Sequence, residues 1–368
     1  MTASVRARVL GLRRSGSTTA FSRSEAKQGL PPDAEAVPGS NRIEETVMKV
    51  AVLDDWQRIA EASVDWSTLQ ARAEVVFFHE AFAGEDEAAA KLADFDVVMA
   101  MRERTAFPPS LVARLPKLTL FAMTGQRGAT IDLAGMAARG ITLTYTSGSE
   151  TGNGTAELAL GLMLAAARNI PRGDAAIRSG SFQEGVSAGP VLAGKKLGLI
   201  GLGRIGSHMA RYGQALGMEV LAWSPNLTEV RAATAGARLR SRDELLAQAD
   251  VVSLHIVLSD RTRGLLGSRE LGLMKTGAIL VNTSRGPLVD EAALIAALAA
   301  GRLVAALDVF DREPLPSDHP LRRLPNTVLT PHLGYGTRET FAEFYGQGIE
   351  NVLAFLDGAP IRLLKPDR

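Results

Sequence analysis

From Met48 onward, short apolar runs alternate with segments whose apolar residues recur at helical spacing. The first apolar runs are predicted to be strands: Lys49–Leu53, Glu74–Phe78, Val97–Met101, Leu118–Met123 and Ile141–Tyr145. The segments between them are predicted to be helices: Glu85–Ala93, Pro108–Leu115 and Ile131–Arg139. Strands that alternate with helices in this way predict a parallel sheet whose strands are joined by helical crossovers.

The second half of the chain repeats this alternation. The predicted strands are Leu197–Ile200, Glu219–Trp223, Asp250–Ile256, Ala278–Asn282, Val304–Val309 and Thr327–Leu329. The predicted helices are Ile205–Leu216, Asp243–Gln248, Ser268–Met274 and Asp290–Ala300. Ser241 and Glu244 form a capping box at the start of one helix, and Gly301 marks the end of another. The pattern therefore predicts an α/β fold with parallel sheets, and 368 residues are enough for two domains.

The last predicted element is a long helix, Glu339–Leu356, with an apolar face. That face carries Phe341, Phe344, Tyr345, Ile349, Val352 and Phe355. The helix either returns to the first domain, which would make that domain discontinuous, or serves as an oligomerisation helix. Spacing alone does not separate these two interpretations.

Residues 1–47 differ in composition from the rest of the chain. They are rich in Arg, Ser, Gly and Pro, and no acidic residue precedes Glu25. This composition predicts a disordered N-terminal extension. A transit peptide would also be rich in Arg and Ser, but the segment lacks an amphipathic period, and Met48 opens like a natural first strand. We therefore favour an extension without a fold of its own.

The overall composition excludes several classes of function. Lys and Arg number 41 and Asp and Glu number 40, so a net charge of +1 gives no general attraction to nucleic acid or membrane. The absence of cysteine excludes disulfides, thiolate catalysis and cysteine metal sites. The most apolar run, Leu158–Ala167, is far shorter than the roughly 20 residues of a membrane span. We expect a soluble, cytoplasmic protein without a metal site.

A glycine-rich turn follows the first predicted strand of the second half. Gly201, Gly203 and Gly206 stand in the G-x-G-x-x-G spacing between that strand and a helix. In such a turn the first glycine allows the tight bend, the second lets a pyrophosphate approach the backbone, and the third lets helix and strand pack closely. The unpaired N–H groups of the helix N-terminus attract phosphate. This context predicts a dinucleotide site.

The position that reads the ribose lacks the usual acidic residue. An NAD enzyme commonly carries Asp or Glu at the end of the second strand, where this chain has Ser224, followed by Asn226. Both side chains can hydrogen-bond a ribose hydroxyl, and neither repels a 2′-phosphate. The nearest basic residue downstream is Arg231. The sequence therefore favours NAD and leaves NADP open.

If the dinucleotide site serves the reduction of a 2-keto acid, the protein must supply a cation that binds the carboxylate and an acid that protonates the carbonyl oxygen. Among the histidines at 79, 208, 255, 319 and 332, His255 ends a predicted parallel strand and could line the cofactor cleft, and His332 stands just past the final predicted strand. The carboxyl ends of parallel strands are where α/β proteins build their sites. His332 is therefore our candidate acid and base.

Two further candidates follow neighbouring predicted strands. Arg285 can grip a carboxylate through two parallel hydrogen bonds, and Glu313 can fix the tautomer of His332 and favour its protonated form. Each residue alone has an ordinary interpretation as a loop residue. Their succession on strand ends, after a dinucleotide turn, predicts one catalytic set of Arg285, Glu313 and His332.

Four ordered motifs together resemble the D-isomer-specific 2-hydroxyacid dehydrogenases: Gly201–Gly206, Val281–Gly286, Asp308–Pro314 and Thr330–Gly334. The resemblance runs from about Met48 to the C-terminus. It implies two Rossmann- or flavodoxin-like domains with the active site in the cleft between them, and NAD as cofactor. The implied substrate domain comprises residues 48–150 and 335–368, and the implied dinucleotide-binding domain comprises residues 151–334.

The resemblance also implies roles for individual residues. Arg204 and Ile205 match backbone contacts to the pyrophosphate, Thr283 matches a cofactor-lining position, and Asp308 matches the residue that holds the nicotinamide carboxamide. On the substrate side, the matching positions are Arg102, Gln126, Arg127 and Arg285. The helix that contains Thr155 and Glu157 looks like the family's dimerisation helix, which implies a homodimer that buries Leu158–Ala167.

The chain departs from the family pattern at several positions. Ser224 replaces the usual acid, and Gln126 and Arg127 stand where small residues are common. The extra regulatory domain of some phosphoglycerate enzymes is not expected after the last helix. The alternative functions are a dinucleotide-sensing, co-repressor-like binding protein and a different nicotinamide enzyme on the same fold. The intact set of Arg285, Glu313 and His332 favours the enzyme.

Overall fold

The apolar runs of the first part of the chain form one parallel sheet in the computed structural model, which describes residues 47–102, 104–125, 128, 130–148 and 153–365. Its strands are β1 (Met48–Val52), β2 (Ala73–Phe77), β3 (Val97–Ala100), β4 (Leu120–Thr124) and β5 (Thr142–Thr146). Their order is β2-β1-β3-β4-β5, and every neighbouring pair is parallel. Every residue of β3 and β4 is buried, which explains why these strands are continuous apolar runs in the sequence.

Short helices connect these strands. They are α1 (Ala60–Ser63), α2 (Ser67–Gln70), α3 (Glu85–Leu92), α4 (Pro109–Val112) and α5 (Leu133–Ala138). The predicted strands and helices of this part are confirmed, with ends that differ by at most three residues. The sequence analysis missed α1 and α2 because a helix of 4 residues is too short to display helical periodicity.

Two helices join the sheets: α6 (Asn153–Ala167) and α7 (Ile170–Arg178). Our prediction placed Leu158–Ala167 in a dimer interface, but much of this stretch is buried within its own chain. The buried residues of α6 are Ala156, Ala159, Leu162, Met163, Ala166 and Ala167, and they share a core with the second sheet. The apolar character of α6 is therefore largely explained by packing inside one chain. The large apolar residues of this stretch that remain for a partner are the half-buried Leu158, Leu160 and Leu164.

The second sheet is parallel and has seven strands. The strands are β6 (Lys196–Ile200), β7 (Glu219–Trp223), β8 (Arg238–Leu239), β9 (Val251–Leu254), β10 (Ala278–Asn282), β11 (Leu303–Leu307) and β12 (Thr327–Leu329). Their order is β12-β11-β10-β9-β6-β7-β8. The fold class is α/β with two parallel sheets, as predicted.

Helices cover both faces of this sheet, and two separate apolar cores lie beneath them. The helices between the strands of this sheet are α8 (Arg204–Ala215), α9 (Glu229–Thr234), α10 (Arg242–Gln248), α11 (Ser268–Leu273) and α12 (Glu291–Ala299). The capping box is confirmed: the Glu244 N–H donates to the Ser241 hydroxyl at 3.3 Å, and the Ser241 N–H donates to the Glu244 carboxylate at 3.0 Å. The sequence analysis missed α7, α9 and β8, which are short or largely exposed.

The last helix, α13 (Arg338–Leu356), packs against β4 and β5 of the first sheet. Its buried side chains include Phe341, Phe344, Tyr345 and Val352, which join a core with β1 and β3. The C-terminal helix therefore returns to the first sheet, which is the first of the two interpretations. The exact domain boundaries, 48–150 with 335–368 and 151–334, stay a prediction.

Among the residues that the structure describes, no helix is both long and apolar enough to cross a membrane. The predicted disorder of residues 1–47 concerns a segment that, except for Val47, lies outside the described residues.

Candidate active site

The predicted catalytic residues follow three neighbouring strands of the second sheet. Arg285 comes after β10, Glu313 after β11 and His332 after β12, and these strands lie side by side. The glycine turn follows β6, with β9 between it and β10. Because all these strands are parallel, the four loops leave the sheet at the same edge.

His332 and Glu313 form a direct pair. The Nδ1 of His332 lies 2.5 Å from Oε2 of Glu313, and the two side chains are 18% and 25% exposed. The other carboxylate oxygen, Oε1, accepts the backbone N–H of Phe310 at 2.9 Å, which fixes the carboxylate on its own loop. This arrangement places a proton on Nδ1 and leaves Nε2 as the nitrogen that can exchange a proton with a substrate.

Electrostatics favour an ionised Glu313. Burial raises the pKa of this carboxyl, but the hydrogen bond and charge of His332 outweigh burial, so that the pKa of Glu313 lies below its usual range. The carboxylate therefore stays negative near neutral pH and can stabilise positive charge on the imidazole.

The loop that carries His332 is held by Asp308. His332 itself has a left-handed backbone with φ of 54°. One oxygen of Asp308 accepts the Thr330 hydroxyl at 2.6 Å and the Leu333 N–H at 2.7 Å, and the other accepts the Gly334 N–H at 2.8 Å. Asp308 is 0% exposed, and burial raises its pKa. In this structure Asp308 shapes the His332 loop, and its contact with a nicotinamide carboxamide stays a prediction.

Arg285 is placed by a turn that Asn282 closes at the end of β10. The amide nitrogen of Asn282 donates to the carbonyl oxygen of Arg285 at 2.8 Å, and its amide oxygen accepts the Ser284 N–H at 3.0 Å. The next residue, Gly286, packs tightly on the loop after β11, because a Cβ there would lie 2.1 Å from the carbonyl carbon of Phe310. The Arg285 and Glu313 loops are thus in contact, with His332 beyond them.

The glycine turn has the geometry that a dinucleotide site requires. Gly201 has φ of 101°, and a Cβ there would lie 2.3 Å from the carbonyl oxygen of His255. A Cβ on Gly206 would lie 2.1 Å from the carbonyl oxygen of Gly201, whereas a Cβ on Gly203 would meet no atom of the described residues within 4 Å. Gly201 and Gly206 are therefore required by the fold, and Gly203 leaves open space above the turn. Arg204 and Ile205 form the first turn of α8, and backbone N–H groups at a helix N-terminus favour a bound phosphate.

Other residues near this turn also fit a nicotinamide dinucleotide. The buried hydroxyl of Thr283 has no hydrogen-bond partner within the described parts of the chain, so a bound group could satisfy it. Ser224 is half-buried directly after β7, where a ribose would lie. His255 backs the turn, and burial lowers its pKa to about 4, so its ring is neutral and hydrogen-bonded to Ser253 at 2.9 Å. His255 therefore supports the turn and is a poor candidate for the acid.

The first sheet contributes a cationic segment after β3. Arg102 has a left-handed backbone with φ of 53°, and its N–H donates to the Thr124 hydroxyl at 2.9 Å. Its guanidinium lies beside Gly125, 3.7 Å from the point where a Cβ would stand if residue 125 carried one. Arg102 thus lies against the start of the predicted substrate loop. The predicted substrate residues Gln126 and Arg127 lie outside the described residues.

Sequence reasoning missed Arg104, Trp56 and Tyr335. The Arg104 guanidinium lies 4.5 Å from the Trp56 ring centroid and 5.4 Å from that of Tyr335. Its Nε donates to the Tyr335 hydroxyl at 2.8 Å, and a terminal nitrogen lies 3.4 Å from the carbonyl oxygen of His332. Arg104 stands two residues after the predicted substrate residue Arg102, but nothing in the local sequence indicates its aromatic partners.

Comparisons with known proteins agree with this geometry. Residues 160–334 match the model of the family described as D-isomer specific 2-hydroxyacid dehydrogenase, NAD binding domain. A D-3-phosphoglycerate dehydrogenase of Archaeoglobus fulgidus is 38% identical over 263 residues, which are 71% of this chain and 50% of the relative. A glyoxylate reductase of Aeropyrum pernix is 40% identical over 256 residues, which are 67% of this chain and 76% of the relative.

A solved structure of similar fold is the phosphoglycerate oxidoreductase from Vibrio cholerae. It has a TM-score of 0.81 and 34% identity, and the match covers 85% of this chain and 100% of that one. The match to the Archaeoglobus enzyme spans only half of that enzyme's length. The sequence matches, the two-sheet fold and the ordered motifs all indicate one family. The chain belongs to the D-isomer specific 2-hydroxyacid dehydrogenases.

Proposed function

We propose that this protein transfers a hydride between a nicotinamide dinucleotide and a small D-2-hydroxy acid or 2-keto acid. The observation that carries the proposal is the His332–Glu313 pair, 2.5 Å apart, on the same sheet edge as the glycine turn. A carboxylate-oriented imidazole can donate or accept one proton, and the turn can hold the cofactor's pyrophosphate.

In this proposal each residue has a defined task. The glycine turn would hold the dinucleotide, which would supply the hydride to the carbonyl carbon when bound. His332 gives the proton on Nε2 to the carbonyl oxygen, so that a ketone becomes an alcohol, and in the reverse direction Nε2 takes that proton back. Glu313 orients the ring through Nδ1 and stabilises its positive charge. Arg285 binds the substrate carboxylate through two parallel hydrogen bonds.

The substrate's other end faces the first sheet. We propose that Arg102 and Arg104 line this end, together with Gln126 and Arg127 of the predicted substrate loop. The support for Arg104 is its hydrogen bond to Tyr335, which stands three residues after His332. Cations at this end, in addition to Arg285, favour small, negatively charged substrates.

A panel of small 2-keto acids, assayed with NADH and with NADPH, tests the proposal directly. Turnover of at least one keto acid, with formation of the D-hydroxy acid, is the expected result. Tight binding of the dinucleotide without turnover of any acid would instead favour the dinucleotide-sensing, co-repressor-like alternative.

Cofactor choice can be shifted at Ser224. We expect NADH to support turnover in the wild-type protein, with weak discrimination against NADPH because residue 224 carries no negative charge. Ser224→Asp should increase the preference for NADH about tenfold or more, since a carboxylate repels a 2′-phosphate. The ratio of kcat/KM for NADH and NADPH measures this. Val230→Asp adds the same charge at an exposed position on α9 and should leave the ratio unchanged.

We also propose a homodimer that works in the cytoplasm, where dinucleotides are available. Support comes from α7 and the segment after it, where Ile170, Ile177, Phe182 and Val191 are each more than half exposed and α7 has no buried residue. Light scattering at micromolar concentration should give twice the chain mass. Ile177→Asp should produce monomers, whereas Val230→Asp should not. A wild-type monomer would contradict the proposal.

A further inference from the structure

The loop after β1 carries a buried carboxylate that no step described above uses. Asp54 is 7% exposed and has a left-handed backbone with φ of 61°. Its Oδ1 accepts the Thr105 hydroxyl at 2.9 Å, and its Oδ2 accepts the Thr105 N–H at 3.2 Å. A two-point grip of this kind fixes both the backbone and the side chain of residue 105.

The residue held next to Thr105 is Arg104. Its guanidinium stacks on Trp56 at 4.5 Å and lies 5.4 Å from the Tyr335 ring centroid. Its Nε also donates to the Tyr335 hydroxyl at 2.8 Å. Such contacts are directional, so the position of the guanidinium depends on how its backbone is held.

The two walls around Arg104 come from distant parts of the chain. Trp56 belongs to the same loop as Asp54, and Tyr335 follows His332, with 5.7 Å between the centroids of the Tyr335 ring and the imidazole. The short loop after β1 therefore makes two contacts with the Arg104 segment. Its Asp54 binds Thr105, and its Trp56 stacks on the Arg104 guanidinium. The other face belongs to the segment that carries the proton donor.

We propose that Asp54 is a positioning residue: through Thr105 it holds the Arg104 guanidinium between Trp56 and Tyr335, ready for the substrate end that Arg285 does not bind. The inference rests on the proposed function for the part that concerns substrate. Asp54 itself does not touch the substrate and acts through Arg104, so its loss affects KM more than kcat.

An ionised carboxylate at the buried position of Asp54 destabilises the fold. Burial raises the pKa of Asp54 to about 6, although Thr105 and the charge of Arg104 lower it. The other ionisable groups around this cluster include Asp55, Arg102, Tyr335, Tyr345, Glu313 and His332. Because the folded pKa exceeds the unfolded value, stability falls as pH rises between 3.8 and about 6, and the loss persists above that range. A neutral residue at position 54 relieves this cost.

The test is a comparison of Asp54→Asn with Asp55→Asn. Asp54→Asn should raise KM for the best keto acid about tenfold, the effect of about 1.4 kcal/mol that a charge-assisted hydrogen bond contributes, with kcat within about threefold. Its Tm at pH 7.5 should not fall below that of the wild type. Asp55 is the matched control: its carboxylate accepts the Ile59 N–H at 2.9 Å and lies 3.2 Å from His79, away from Thr105. Asp55→Asn should lower Tm and leave KM unchanged.

Thr105 variants and pH add independent readouts. Thr105→Ser keeps the hydroxyl and should retain the wild-type KM, whereas Thr105→Val should behave like Asp54→Asn. In the wild type, KM should rise as pH falls through about 6, because Asp54 becomes protonated there. In Asp54→Asn, KM should already be high and should lack this rise.

A fluorescence measurement separates this inference from the proposed activity. The chain has three tryptophans, so Trp66→Phe with Trp223→Phe leaves Trp56 as the only one. Adding Asp54→Asn to that protein should increase quenching of Trp56 by acrylamide, since Arg104 no longer covers the ring, and adding Asp55→Asn should not. Unchanged quenching together with an unchanged KM would overturn the inference. A missing activity with the expected quenching would overturn only the proposed function.

Discussion

Replacing His332 by alanine is expected to lower turnover by about 10²–10⁴-fold, the usual contribution of a positioned acid or base. The variant loses the imidazole whose Nδ1 pairs with Glu313, and with it the Nε2 proton that the carbonyl oxygen takes up on reduction. Dinucleotide affinity should change little, because the glycine turn lies after β6 and His332 lies after β12 at the far side of the sheet. Single-turnover rates and dinucleotide titrations measure the two effects separately.

His319 provides a matched control within the chain. Its Nε2 also lies beside a carboxylate, 3.1 Å from Glu291, and its side chain is similarly shielded. His319→Ala should therefore cost some stability but should keep turnover within a few fold. A His332→Ala protein that retains near-full turnover, or a His319→Ala protein with an equal loss, would remove His332 from its proposed role.

The second large effect is expected at the glycine turn, where two alanine substitutions should behave differently. Gly206→Ala places a Cβ 2.1 Å from the carbonyl oxygen of Gly201, so helix α8 must shift. Overpacking of this kind costs about 1–3 kcal/mol, and we expect a lower Tm as well as weaker dinucleotide binding. Within the part of the chain that the structure describes, the Cβ of Gly203→Ala would meet no atom within 4 Å, and residue 203 has φ of −85°, which alanine adopts freely.

Gly203→Ala should thus leave the Tm of the ligand-free protein unchanged but weaken dinucleotide binding. A methyl group in the space that the pyrophosphate needs should cost about 1–3 kcal/mol of binding free energy, or roughly 10–100-fold in Kd. Thermal unfolding with and without dinucleotide, combined with calorimetric titration, gives both numbers. Unchanged affinity in Gly203→Ala would mean that the dinucleotide does not approach this turn.

Much of the fold could be predicted from the sequence because its strands are buried on both faces. Strands such as β4 and β10 are wholly buried, so they stand out as uninterrupted apolar runs bounded by polar turns. Short or exposed elements left no such pattern. The two residues of β8 and the four residues of α1 were missed for that reason.

The candidate site was predictable to the extent that its residues follow strands directly. Arg285, Glu313 and His332 each stand within a few residues of a strand end, and parallel strands bring such positions to one edge. The structure shows contact between His332 and Glu313 that the sequence could only suggest. For Asp308 the sequence indicated only a contact with the cofactor, whereas the structure shows that its carboxylate accepts two backbone N–H groups of the His332 loop.

The cluster around Arg104 could not be predicted from local sequence. Asp54 and Thr105 are 51 residues apart, and Arg104 and Tyr335 are 231 residues apart. Their contacts depend on how α13 returns to the first sheet and how the loops after β1 and β3 meet. No periodicity or short motif records such an arrangement, so only the folded chain reveals it.

The pH dependence of kcat in both directions tests the account of His332 most directly. Reduction consumes the proton on Nε2, so kcat for the keto acid should fall as pH rises and the imidazole loses that proton. Oxidation requires the neutral ring, so kcat for the hydroxy acid should rise over the corresponding pH range. Saturating substrate removes the effect of Asp54 on KM, and His332→Ala should abolish both transitions. Parallel profiles in the two directions, or profiles that His332→Ala leaves intact, would contradict the account.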